Sequence, residues 1–373
     1  LLLAACLASY VAAGLRALPI PELNAADTGL LRLLAWASIL LVANDGIPNE
    51  ERLIVLLRRI SWAGGLLAVF GLVQFFTGQD FVSTIQIPGL TASQSFSGVQ
   101  DRNGFARAAG TAMSPLEYAA VLSMCLPVAL TLAMGNEVPA PLARWLPAAS
   151  ISFALVLSIS RSAILGIAVT LLMLAPTWST SMRRRAAVIG VIALSGIYVL
   201  IPGMVGTVRY LFTSISEDSG TLSRTSSYDI ALDFIQRSPI VGRGFGTFLP
   251  QYRIFDNQYL QSLVEIGFLG LAGLLGVVLT AAICAVRGRQ KTLDPLTRSM
   301  GQALAAAVLS GAVLTAFFDA FSFPMAAGML FLTAGVCGGY WRLTERADRT
   351  PSSIKVAESD TDQIQQGRGP RLP

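Results

Sequence analysis

Apolar residues run through this chain in long blocks separated by short polar stretches. The blocks at roughly 1–18, 29–43, 58–77, 116–134, 146–160, 162–176, 186–204, 259–286, 301–318 and 324–341 are at or just under membrane-span length. The pattern predicts an all-α fold, a polytopic transmembrane helical bundle with about ten visible spans. Leu1 already lies inside an apolar block. Residues 1–18 therefore read as a trimmed span and not as a signal peptide, with room for missing N-terminal spans before it. Periodicity stops near Glu345. Residues 345–373 are expected to be a disordered cytoplasmic tail behind a membrane domain of residues 1–344.

The stretch 146–176 tests the pattern. A single helix of that length would run about 45 Å, half again the hydrocarbon thickness. Two spans of about fifteen residues reach about 22 Å each. The pair predicts a shared tip, SISRSA, sunk below the outer surface, which puts Arg161 inside the membrane envelope. An unpaired cation there costs about 2.5–3.5 kcal/mol or more. Arg161 either snorkels to headgroups or meets an anion, whether a buried partner or a ligand.

Charge placement orients the bundle. Arg52, Arg58 and Arg59 flank one short loop, Arg183, Arg184 and Arg185 another, and Arg287, Arg289, Lys291 and Arg298 a third. The positive-inside trend assigns all three to the cytoplasm, and alternation through the spans puts them on one side. Two loops, about 78–115 and 205–257, then face outward. Composition agrees: 53% of residues are hydrophobic and 13% charged, about half the charge of a soluble domain. Histidine is absent, which removes the usual neutral-pH base and the commonest metal ligand. Cys6, Cys125, Cys284 and Cys337 lie far apart in apolar segments, with neither metal nor disulfide spacing. The expected surroundings are membrane lipids, with no metal, no cofactor and no nucleic acid.

The outward loop 205–257 holds Arg209, Arg224, Arg237, Arg243 and Arg253 and no lysine, on the face where positive charge is disfavoured. Within it SRTSSYDIALDFIQRSP reads as an amphipathic helix, with Tyr228, Ala231, Leu232 and Ile235 on one side toward lipid. Ser238 and Pro239 end it. GRGFG follows: Gly242, Gly244 and Gly246 permit either a plain flexible turn or a nest of N–H groups around an anion, with Arg243 between them.

After this loop comes FDNQYLQSLVEIGFLGLAGLL. If a helix starts near Asn257, then Gln258, Gln261, Ser262 and Glu265 recur at i, i+3, i+4 and i+7 as one polar face two turns deep. Such a stripe suits the wall of a water-filled cavity. Asp256 reads equally as an N-cap or a catalytic group. Glu265, about 12 Å down the helix, is too deep for a cap; the alternative to a catalytic role is an ion pair with another span. Glu117, where loop 78–115 enters its span, sits just after Pro115, and an acid in a first helical turn also favours the dipole. Arginines on one wall and carboxylates on another suggest a membrane-borne phosphate or diphosphate, bound through the planar guanidinium fork. A carboxylate would then deprotonate an attacking hydroxyl.

Four segments, RAAGTAMSPLEYAAVLSMCLPVAL, LSISRSAILG, SRTSSYDIALDFIQRSPIVGRGFGTF and DNQYLQSLVEIGFLGL, occur in an order that resembles the O-antigen ligase and polysaccharide polymerase family, over about residues 85–340. The resemblance implies a metal-independent glycosyltransferase. It would act on a polyprenyl-diphosphate-linked glycan and a glycan or lipid acceptor at the outer face of the bacterial inner membrane. It implies that Arg161, Arg224 and Arg243 bind the diphosphate, with Arg209, Asn257, Gln258 and Gln261 as further candidate substrate contacts. Many relatives open the helix after the long loop with a His-Asn pair, where this chain has Asp256-Asn257; His-Pro in the earlier segment is Ser114-Pro115 here. The base is then Asp256, Glu117 or Glu265. The rival reading is a transporter or flippase for lipid-linked or anionic substrates, although no internal repeat is visible.

Overall fold

Helices begin in this chain where a capping side chain or a proline meets an apolar run. The computed structural model describes residues 1–82, 88, 100–102, 105–135, 141–158, 160–200 and 219–349. Eleven helices lie among them: α1 (Leu2–Gly14), α2 (Ile20–Asp45), α3 (Glu50–Thr77), α4 (Pro115–Met134), α5 (Pro141–Leu157), α6 (Arg161–Leu174), α7 (Thr180–Leu200), α8 (Ser219–Arg237), α9 (Gln258–Lys291), α10 (Pro295–Leu314) and α11 (Pro324–Arg349). Asn49 caps α3 by accepting from Arg52 N at 2.9 Å, and Gly78 ends that helix in the left-handed region. Ser114 with Pro115 opens α4, and Asp294 with Pro295 opens α10. One antiparallel ladder, β1 (Gln100–Arg102) on β2 (Phe105–Arg107), is an addition to the expected all-α fold.

Among the described residues, five helices are long and apolar enough to cross a membrane: α2, α3, α4, α9 and the α10 segment Pro295–Phe317. The expected count of about ten is not reached by that measure: α1, α5 and α6 are too short, and α7 and α11, although long enough, do not qualify. The protein is a membrane protein by this pattern of apolar helices, which on α2, α3 and α7 leave Leu31, Val42, Leu66, Val191 and Ile192 exposed. α4 and α10 form the buried centre; α10 packs on α4, α6, α9 and α11. The expected break in 146–176 is present: α5 ends at Leu157 and α6 begins at Arg161. α5 starts where Arg144 Nη1 donates to Gly135 O (2.7 Å), and α6 ends where Gln302 Nε2 donates to Met173 O (2.7 Å). Gly135 and Leu174 line one cavity, of about 520 Å³, so both outer ends of the α5–α6 hairpin share one end of the bundle. The same end holds the Thr297 to Glu50 hydrogen bond (3.1 Å). Its basic loops, with Arg183 beside Trp178, therefore sit together. α11 continues to Arg349, past the expected start of the tail; residues 350–373 lie outside the described residues.

The opposite end is organised by a break in α9. Gly267 sits at φ 62°, ψ −166°, so the helix stops and restarts. A broken helix at membrane depth leaves amides and carbonyls without partners, each unsatisfied group costing several kcal/mol. Here the loop Pro239–Gly244 supplies the partners. Arg243 N donates to Val264 O at 2.8 Å and Gly244 N to Glu265 O at 2.9 Å. On the far side of the break, Phe268 N donates to Pro239 O at 2.8 Å and Leu269 N to Ile240 O at 3.2 Å. Ser9 Oγ of α1 adds a further bond to Glu265 O at 2.7 Å.

The approach is so close that a Cβ built at Gly242 overlaps the Glu265 carbonyl, and one at Gly267 overlaps that of Ile240. Both glycines also have positive φ. Gly242→Ala and Gly267→Ala should each lower stability by about 2 kcal/mol or more. Gly276→Ala, about two and a half turns further along α9 with nothing within 4 Å of the new methyl, should be neutral or slightly stabilising. Thermal unfolding of the purified protein in detergent separates the two classes; equal effects at all three positions would refute the stitched break.

Candidate active site

Asn257, not Asp256, is the N-cap of α9: its Oδ1 accepts from Tyr259 N at 3.0 Å and Leu260 N at 3.3 Å. The capping reading of Asp256 is thereby corrected, and Asn257 is engaged in the helix start. Asp256, one residue earlier, is half-buried and lines a cavity of about 130 Å³ with Ser227, Tyr228, Asn257, Leu260, Ala316 and Phe317. Three elements build this cavity: α8, the mouth of α9 and the turn after α10.

The polar stripe of α9 does not line that cavity. Gln258, Ser262 and Glu265 are all buried. Gln258 Nε2 donates to Ser262 Oγ at 3.1 Å, and its Oε1 accepts from Phe321 N at 2.7 Å. Its backbone N donates to Phe318 O at 3.1 Å, so Gln258 fastens the turn between α10 and α11 over the helix mouth. Gln261 Nε2 lies 3.3 Å from Glu265 Oε1, and Gly246 N donates to Glu265 Oε2 at 3.2 Å. Of the glycine-loop amides, Gly246 N reaches the Glu265 side chain, whereas those of Gly242 and Gly244 donate to the Ser238 and Glu265 carbonyls, so the three do not converge on one anion.

Glu117 is buried and fully engaged. Oε2 accepts from Met113 N at 2.7 Å, while Oε1 accepts from Met325 N at 2.8 Å and Ala326 N at 3.2 Å. It caps α11 across the bundle, satisfying orphan amides of that helix start. The expected first-turn role on its own helix underestimated this, because the partner helix lies some two hundred residues away.

The arginines of the candidate site fall into distinct settings. Arg243 Nη2 is 2.7 Å from Glu22 Oε1, and its guanidinium lies over the rings of Phe234, Phe248 and Tyr252 at 5.5, 5.9 and 5.2 Å. Tyr252 OH donates to the same Glu22 oxygen at 2.6 Å, and this bond raises the phenol's pKa above the ordinary tyrosine value. Arg253 Nε donates to Ser227 Oγ at 3.0 Å, tying the loop to α8 beside the cavity. Arg237 pairs with Asp233 on an exposed helix face, an arrangement worth little. Arg161 opens α6 at the hairpin tip and is half-buried. Arg224 lies on α8, and Arg209 lies outside the described residues. On α8 itself, Ala231 and Ile235 face inward onto Phe248, Phe255 and Val264, while Tyr228 and Leu232 are exposed. The single lipid-facing stripe expected there is therefore split.

Two acids near the site carried no readable signal. Glu22 precedes the expected span 29–43 and was not among the candidates. Asp319, in FFDAFSFP, stands half-buried in the turn held by Gln258. Burial pushes its carboxyl up to about 6, helped by the negative charge of Asp256. An acid flanked by aromatics between two spans was the one available hint. Among the described residues no group of three His, Cys, Asp or Glu is placed to hold a metal ion.

Residues 146–275 match a protein-family model described as O-antigen ligase. Three of the four segments that carried the resemblance lie inside the match; RAAGTAMSPLEYAAVLSMCLPVAL lies before it. No curated protein matches the chain.

The Asp319 shift fixes a pH dependence. Its folded pKa exceeds the ordinary value of 3.8, so the folded protein binds more protons than the unfolded chain between about pH 4 and 6, and stability falls as pH rises through that window. Asp319→Asn removes the ionised form. It should raise the thermal midpoint at pH 7.5 and leave it near wild type at pH 4. A midpoint unchanged at pH 7.5 would show that Asp319 is not destabilised by ionisation.

Proposed function

We propose, from the premise that residues 146–275 form an O-antigen ligase domain, that this membrane enzyme is a glycosyltransferase. It transfers a polyprenyl-diphosphate-linked glycan to an acceptor hydroxyl at the outer face of the bacterial inner membrane. The observation that carries the reading is the position of Asp256: relieved of capping by Asn257, half-buried, and lining the cavity between α8 and the mouth of α9.

In this reading the acceptor hydroxyl gives its proton to the Asp256 carboxylate as its oxygen attacks the anomeric carbon. The bond from that carbon to the diphosphate oxygen breaks, and the electron pair leaves with the polyprenyl diphosphate. Arg161, Arg224 and Arg243 stabilise the charge gathering on the leaving group. Arg209 and Gln261 are secondary candidates for substrate contact. Glu117 and Glu265 are left with structural work, because their oxygens already accept backbone or amide hydrogen bonds. The reading is metal-independent, since arginines take the role that a divalent ion would otherwise fill. Ligase and polymerase share this chemistry and differ in acceptor. Loss of glycan chain length in a strain lacking the gene identifies a polymerase, and loss of attachment with long lipid-linked chains intact identifies a ligase.

Asp256→Asn keeps size and removes proton acceptance. It should lower transfer by about two orders of magnitude or more while donor binding persists. Asp256→His should recover part of the activity. Wild-type transfer by Asp256→Asn, measured with a radiolabelled lipid-linked glycan in liposomes, would remove Asp256 from the mechanism. Movement of label across the bilayer without a change of covalent partner would favour the transporter reading.

Excess EDTA should leave transfer by the purified enzyme intact. Inhibition reversed by added Mg²⁺ or Mn²⁺ would overturn metal independence. Arg224→Lys and Arg243→Lys keep the charge and lose the fork, so each should cost most of the activity. Normal turnover by both variants at normal membrane levels would end the arginine assignment.

A further inference from the structure

The 243–246 loop is gripped by α1 and α2, which lie outside the matched domain. Arg16 Nη2 donates to Arg243 O, and Ala25 and Ala26 of α2 pack against Gly246. The central contact is Glu22, a carboxylate only 1% exposed. Both of its donors, Arg243 Nη2 and Tyr252 OH, converge on Oε1, while Oε2 is buried without a hydrogen-bond partner.

This geometry is one-sided for the arginine as well. A fork-to-fork pair would engage two nitrogens; here the Arg243 fork gives Glu22 one, and Nε and Nη1 have no acceptor among the described residues. Three aromatic rings fix the plane of the guanidinium, and its side chain keeps 24% exposure. An arginine clamped at one corner, with its remaining donors turned to accessible space, is preorganised for a second anion.

We infer that Glu22 is a positioning residue for Arg243, holding the guanidinium by Nη2 so that its free donors meet a phosphate oxygen of the lipid diphosphate. The inference rests on the reading of Arg243 as a donor ligand. Glu22 touches neither substrate nor reacting atoms; it acts through Arg243. It also explains why α1 and α2 belong to the working enzyme although the matched domain starts at residue 146.

The test compares Glu22→Ala, Glu22→Gln and Arg243→Ala, alone and combined, in purified full-length protein in lipid nanodiscs. Glu22→Ala should raise the donor KM about tenfold, the size of one charge-assisted hydrogen bond, and lower kcat as well, because the positioned Arg243 also meets the charge developing on the leaving group. Glu22→Gln should lie between, because its amide oxygen still accepts from Nη2. Adding Glu22→Ala to Arg243→Ala should change KM no further, since the residue it positions is gone.

A wild-type KM in Glu22→Ala, a lowered KM, or additive effects in the double variant would each overturn the inference. If Glu22→Ala fails to accumulate, Glu22→Gln carries the same comparison. Binding of a glycan-free polyprenyl diphosphate supplies a readout independent of transfer. A wild-type Kd in Glu22→Gln, or no binding by the wild-type protein, counts against Glu22, whereas wild-type binding without any glycosyl transfer counts against the proposed function instead.

Discussion

The break at Gly267 is the constraint on which the rest of this end of the bundle depends. A helix interrupted at membrane depth is tolerated only where protein re-satisfies the freed backbone. The segment from Pro239 to Gly244 does so from both sides, taking Val264 and Glu265 carbonyls with its amides and Phe268 and Leu269 amides with its carbonyls. Once that exchange is made, the arginine between the glycines has no freedom of register. Arg243 N is bound to Val264 O, so its side chain must leave the loop toward Glu22 and the aromatic rings. Backbone repair and arginine placement are a single event.

The same break decides the fate of the carboxylates. Glu265 sits two residues before Gly267, where the loop amides crowd against the helix, and Gly246 N reaches its side chain. Its oxygens are thereby occupied by the chain's own donors, Gly246 N and Gln261 Nε2. Glu117 meets the same end by another route, as the cap of α11. Asp256 differs because its neighbour Asn257 takes the two amides of the helix start.

What was legible in advance followed from local physics. Apolar block length located the helices, the excess length of 146–176 required the turn before Arg161, and the glycines of GRGFG adopt the positive φ that their spacing permitted. What stayed hidden was long-range. Nothing near Glu22 points to a partner 221 positions away, and nothing near Glu117 points to Met325, 208 positions on. The stripe Gln258, Gln261, Ser262 and Glu265 was read correctly as one polar face. Its partners were misjudged because a buried polar face and a wet one have the same period. Likewise an Asp-Asn pair before a helix offers two good caps, and only geometry assigns the role.

Arg243 and Glu22 illustrate why an ion pair at such a site does not cancel its usefulness. A guanidinium buried without a counter-charge at the membrane would pay a large desolvation cost, and a carboxylate at 1% exposure would pay more. Paired, they can be kept in a low-dielectric cage at fixed geometry. Bidentate pairing would have used the fork up, leaving a neutral brace with no donors to offer. Pairing through one nitrogen instead keeps most of the directional hydrogen-bonding capacity while the local net charge falls. Donors held at that edge need no reorganisation to meet a further acceptor. The orphaned Glu22 Oε2 is the structural trace of that choice: its lone pairs go unused so that the guanidinium is held at one corner only.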